Sequence, residues 1–103
     1  RNAIERAFAK ALSLDPRSSA AEEGLGRLAY SRGDARSAAA HYERALELGP
    51  TAPLARTLGA IRLYELADSP GALAAFRKAR QLLPEGPEAA ELDEIIRDLE
   101  APR

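Results

Sequence analysis

Cysteine, methionine and tryptophan are absent from the 103 residues, and aromatic residues amount to only 5 %. Without cysteine the chain has no disulfide framework, no thiolate nucleophile and no zinc-thiolate site, and its redox compartment is unreadable. With few aromatics and plentiful alanine, a core must be built from closely approaching backbones and small side chains, which suits helix packed on helix. No apolar run approaches the roughly 18 residues of a membrane span, and no charged-apolar-small leader opens the chain. The expectation is a soluble chain without membrane insertion, the cytoplasm being slightly favoured. A net charge of -1 gives no global field for nucleic acid, and the arginines are interleaved with alanines and acids rather than grouped, so no nucleic acid is expected as a partner.

What is present is ordinary for one globular domain: 46 % hydrophobic and 30 % charged residues. Charge is uneven along the chain. From Glu85 onward seven acids (Glu85, Glu88, Glu91, Asp93, Glu94, Asp98, Glu100) face Arg97 and Arg103, which reads as a solvated helix face.

One spacing occurs three times: Ile4, Phe8, Ala11, Pro16; Ala38, Tyr42, Ala45, Pro50; Ala72, Phe76, Ala79, Pro84. The prolines stand 34 residues apart, and each interval reads as two helices joined by a turn. The small alanines let helices approach, the aromatic on the adjoining turn fills space between them, and the proline stops the second helix. This 34-residue helix-turn-helix pattern resembles the tetratricopeptide-repeat (TPR) family from Ile4 to Pro84. The resemblance implies an all-α fold, a right-handed superhelix of antiparallel helix pairs with about two and a half repeats and a C-terminal capping helix. Within a single domain over 1–103, residues 2–16 form the second helix of an incomplete repeat, 17–50 and 51–84 are repeats, and 85–103 are cap and tail.

Turn signals divide the chain into helices near 2–14, 19–32, 35–48, 52–66, 70–83 and 87–100. Ser19 with Glu22 is expected to form a capping box, Gly33 a left-handed C-cap followed by Asp34 as N-cap, Thr51 a cap for the helix holding Pro53, and Ser69 with Pro70 another start. Gly86 and Pro87 open the last helix, whose stripe of Leu92, Ile95, Ile96 and Leu99 faces the solenoid while its acids face water, as a terminal cap requires. The first helix lacks the partner that would share its burial. Ile4, Phe8 and Leu12 therefore form a candidate self-association edge, expected to be covered by upstream repeats of a longer parent or by a second copy.

In the TPR family the first helix of each pair lines a concave groove that receives peptides or partner helices. Leu25 and Gly26 fit the family's leucine-glycine pair, but Leu58 and Gly59 fall one residue early. Matching the pairs requires compensating indels, whereas an ungapped shift of 34 pairs Tyr30 with Tyr64 and sets Ala60 opposite Gly26; the ungapped register is adopted. The expected groove then presents Ala20, Glu23, Arg27 and Tyr30, followed by Leu54, Thr57, Leu58, Ile61 and Tyr64. Its apolar second half suits a hydrophobic peptide or amphipathic helix, unless Leu54, Leu58 and Ile61 pack inside under a slightly rotated helix. The lysine-asparagine clamp by which some TPR domains hold a terminal carboxylate has no counterpart, because the lysines, Lys10 and Lys78, fall on second helices.

No catalytic residue, metal or cofactor is expected. His41 is the sole histidine and has no second histidine or cysteine to complete a metal site, its helical spacing to Ser37 is weak evidence for a nucleophile and base, and no phosphate-cradling glycine motif appears. The function expected from the resemblance is non-catalytic binding of a protein or peptide in the groove. The alternative is a structural scaffold segment or self-association module of a larger repeat protein.

Overall fold

The computed structural model describes residues 2 to 102, so Arg103, counted above against the acids of the tail, lies outside the described residues. Among them the chain is all-helical, with six α-helices: α1 (Asn2–Leu14), α2 (Ser19–Ser31), α3 (Ala35–Leu48), α4 (Ala52–Ala60), α5 (Ser69–Gln81) and α6 (Pro87–Glu100). One π-helical segment, Ile61–Glu65, continues α4. None of these helices is long and apolar enough to cross a membrane. They fall into two compact units, one ending at Pro50 and the other beginning at Thr51.

In the first unit α2 packs between α1 and α3. Gly26 is what lets α2 approach α3: a β-carbon there would stand 3.1 Å from the Tyr42 ring and 3.4 Å from the Ala38 carbonyl. Ala38 and Ala45, one turn either side of Tyr42, are wholly buried with it, as small residues must be where helix backbones meet. Gly24, on the other side of α2, gives the same room to Phe8 of α1, whose ring a β-carbon at 24 would overlap. The α2–α3 turn is a Schellman ending. Gly33 takes φ +80, the Asp34 N–H donates to the Ala29 carbonyl (3.0 Å), and the Gly33 N–H to that of Tyr30 (3.0 Å). Asp34 then caps α3 by accepting from the Ser37 N–H at 3.1 Å.

The start of α2 differs from the expected capping box. Ser18 is the N-cap, its hydroxyl accepting from the Ala21 N–H at 3.1 Å. Ser19 instead donates to the Ala45 carbonyl (2.9 Å), tying the start of α2 to the end of α3, and Glu22 turns to His41 and Arg44. A cap one residue earlier leaves Ser19 inside the first turn, where its side chain can cross to the neighbouring helix.

In the second unit α4 packs on α5, and α5 on α6. Thr51 caps α4 with Pro53 in the first turn, as expected. Gly59 faces Phe76 as Gly26 faces Tyr42, and Ala72 and Ala79 are wholly buried around that ring. At α5 the N-cap is Asp68 rather than Ser69: its carboxylate accepts from the Gly71 N–H at 2.9 Å, and Pro70 sits in the first turn. The longer side chain one residue earlier reaches the same donors. Three arginines hold α6. Arg56 of α4 pairs with Glu91, Arg77 with Glu100, and Arg80 with Asp93 (2.9 Å) and with Glu85 before the helix (2.7 Å). The hydrogen bonds that Arg80 donates to Glu85, then Asp93, push it further above its ordinary value. Four of the seven acids read as a solvated face are therefore paired with the preceding helices. Ala89 and Leu92 are buried on α6, and Ile95, Ile96 and Leu99 are half-buried.

Candidate functional site

The register of α4 is the decisive geometry. Gly26 and Tyr42 are 16 residues apart, Gly59 and Phe76 are 17, and both pairs make the same contact. Gly59 is therefore the counterpart of Gly26, which overturns the ungapped register. Both compensating changes are visible. The N-caps Ser18 and Thr51 are 33 apart, so the loop after Pro50 is one residue shorter than that after Pro16. The residue is regained in the π segment: the Leu66 N–H reaches back five residues to the Ile61 carbonyl (3.2 Å), and the Asp68 N–H six residues to that of Arg62 (2.8 Å). Asp34 and Asp68 are again 34 apart. A single inserted residue accommodated as a π turn is how such segments commonly arise, and they occur often at functional sites.

This register reassigns the face of α4. Counting back and forward from the glycines, Arg56 takes the place of Glu23, Ala60 of Arg27, and Leu63 of Tyr30. Of the residues expected there, Leu54, Leu58 and Ile61 are buried (6 %, 1 % and 5 % exposed) and belong to the core, the counterparts of Ala21, Leu25 and Leu28. Thr57 is exposed, at the place of Gly24, and Tyr64 is 78 % exposed within the π segment. Arg56, Ala60 and Leu63 are half-buried and were missed. The leucine-glycine pair pointed to them, but nothing in the sequence marks a π turn.

In the first unit Ala20, Arg27 and Tyr30 are exposed and Glu23 is half-buried. Arg27 is exposed and bonded to Glu23 at 2.7 Å across one turn, a pair worth about 0.3–0.5 kcal/mol at such exposure. Beneath them lies the Tyr42 hydroxyl, close enough to feel both charges. Burial pushes this phenol above its ordinary value, Arg27 works against that through its charge, and Glu23 adds to it. Ala20 and Tyr30 are exposed on the same helix. Along α1, Ile4 is 53 % exposed while Phe8 and Leu12 are half-buried. Ile4, Phe8 and Leu28 line an open, apolar cleft of about 290 Å³ between α1 and α2, rimmed by Arg27 and Ser31.

His41 is half-buried at the edge of the packing between α2 and α3. Its Nδ1 lies 2.9 Å from the Glu22 carboxylate, which is nearly buried and also 3.9 Å from Arg44. Ser37 is engaged through its backbone with Asp34 instead. No group of three or more metal-ligating side chains occurs among the described residues. No protein-family model matches this chain, and no curated protein matches it.

Proposed function

We propose that this chain is a non-catalytic protein-interaction module built from helix hairpins of the tetratricopeptide type, and that it holds a peptide or partner helix against its first helices. The observation that carries the reading is the recurrence of one contact, Gly26 on Tyr42 and Gly59 on Phe76, with wholly buried alanines on either side of each ring. A chain that spends its small residues on bringing two helices together leaves a defined strip of each first helix to solvent. In the first unit that strip is Glu23, Arg27 and Tyr30; in the second it is Arg56, Ala60, Leu63 and Tyr64. Aromatic and arginine side chains among smaller residues are what interaction surfaces are enriched in.

The test is selection of peptides from a random display library on the immobilised full chain, followed by titration of selected peptides against Arg27→Glu and Tyr64→Ala. The reading expects peptides whose affinity falls at least about tenfold, roughly 1.4 kcal/mol, with one of these surface variants at unchanged helicity. Selected peptides indifferent to both would place recognition elsewhere.

A second reading, a scaffold segment that associates with copies of itself, is favoured by Ile4 at 53 % and Leu14 at 78 % exposure on α1. Sedimentation velocity over a hundredfold concentration range tests it, with Ile4→Glu expected to abolish any association.

A further inference from the structure

Where α1, α2 and α3 meet, the first unit has a second cleft, of about 430 Å³, separate from the strip proposed to bind peptides. Its size falls within the range of small-ligand sites. Leu25, Leu28 and Ala29 of α2 supply an apolar lining, and the N-cap Asp34 with Ser37 and His41 of α3 supplies polar groups. Glu5 and Arg32 also line it, bonded to each other at 2.9 Å, so this arginine is already neutralised.

The hydrogen-bonding character of the α3 side follows from its partners. The Glu22 carboxylate can only accept, so His41 Nδ1 carries the hydrogen in that 2.9 Å contact. In the neutral imidazole the other nitrogen, Nε2, is then a lone-pair acceptor. One Asp34 oxygen takes the Ser37 N–H, which leaves the other with capacity to accept, and the Ser37 hydroxyl can accept as well. Formal charges lining the cleft are two negative, Glu5 and Asp34, against one positive, Arg32. Acceptors on one wall, an apolar floor and a net negative charge suit a group that donates several hydrogen bonds, is positive, and arrives on an alkyl stem.

We propose that this cleft receives an arginine side chain of a partner protein. The stem lies on Leu25, Leu28 and Ala29, as long cationic side chains do on apolar surface. The planar guanidinium donates to Asp34, Ser37 and His41, where its fixed fork of donors meets a carboxylate and neutral acceptors together. An anionic group would meet Asp34 unpaired and find Arg32 already held by Glu5.

The experiment is NMR titration of the full chain with Nα-acetyl-arginine amide, following the Leu25 and Leu28 methyl groups and the His41 ring. Nα-acetyl-norleucine amide supplies an uncharged stem, and Nα-acetyl-glutamate amide the opposite charge. Saturable shifts at all three residues are expected for the arginine probe alone, with a dissociation constant on the order of millimolar for so small a ligand. Asp34→Asn removes the charge while asparagine still caps α3, and should weaken binding about fivefold or more at unchanged thermal stability. Ser37→Ala, which keeps the backbone N–H that Asp34 caps, should weaken it about threefold or more by losing one hydrogen bond from the guanidinium. Arg27→Glu, on the strip of the first proposal, should leave it unchanged. Equal shifts with norleucine or glutamate amide, no saturation by tens of millimolar, or affinity indifferent to both Asp34→Asn and Ser37→Ala would overturn the assignment.

Discussion

Gly59 lies directly against the Phe76 ring: a β-carbon at Gly59 would lie 2.9 Å from both Cε1 and Cζ. The ring is buried, with wholly buried alanines beside it, so it has nowhere to retreat. Alanine would gain about 0.5–1 kcal/mol in helix propensity, but overpacking typically costs about 1–3 kcal/mol. Gly59→Ala is therefore expected to destabilise by about 1–2 kcal/mol in urea unfolding. A neutral or stabilising result would mean that α4 and α5 can separate freely.

Ala67 occupies the left-handed region at φ 52, at the place where the first unit has Gly33 at φ +80. Alanine pays about 1 kcal/mol for that conformation and glycine nothing, though glycine has more unfolded-state entropy to lose. Ala67→Gly should stabilise by about 0.5–1 kcal/mol, and Gly33→Ala should destabilise by a similar amount; both are read as opposite shifts of the urea midpoint at constant slope.

The contrast between these two turns shows what was legible. Gly33 followed by Asp34 is a strong stop-and-start signal, and the sequence reading of that turn agrees with the structure. Ala67 carries no such signal, and the π segment before it has ordinary helix composition, so its extra residue hides inside an apparently regular helix. The alanine-aromatic-alanine rows of α3 and α5 were readable because packing against a neighbouring helix demands them. The face of α4 was not, since a shift of one residue turns a helix by about 100° and puts Ala60 in place of Ile61 and Leu63 in place of Tyr64. His41 and Glu22 come from different helices, 19 residues apart, and no local pattern joins them.

Tyr42 offers a pH test. Burial favours its neutral phenol, so the folded chain binds that proton more tightly than the unfolded one. Stability from this group is fully present below the ordinary value of 10.0 and declines as pH rises through the higher folded value. Tyr42→Phe, which has no group to titrate there, should show a shallower fall in stability in alkali than the wild type. Parallel curves for the two proteins would show that the phenol titrates alike folded and unfolded.

Arg80 bonds Asp93 within α6 and Glu85 ahead of it. Arg80→Ala should accelerate amide hydrogen exchange along α6 while leaving α2 and α3 untouched, because only the former depends on that side chain. Added salt should also raise exchange along α6 in the wild type, as partly exposed pairs are screened. Exchange raised equally throughout the chain would instead mean that α6 opens only in global unfolding.

Ile61 and Leu63 separate the two registers of α4. Ile61 is 5 % exposed, so aspartate there places a charge in the core without a partner, and the variant should lose cooperative unfolding or at least about 3 kcal/mol. Leu63 is half-buried at the place of the exposed Tyr30, so Leu63→Asp should keep its helical circular dichroism and lose no more than about 1 kcal/mol. If the outcomes were reversed, with a folded Ile61→Asp and an unfolded Leu63→Asp, the ungapped 34-residue register would be restored, and Leu54, Thr57 and Ile61 would return to the surface as the strip that meets a partner.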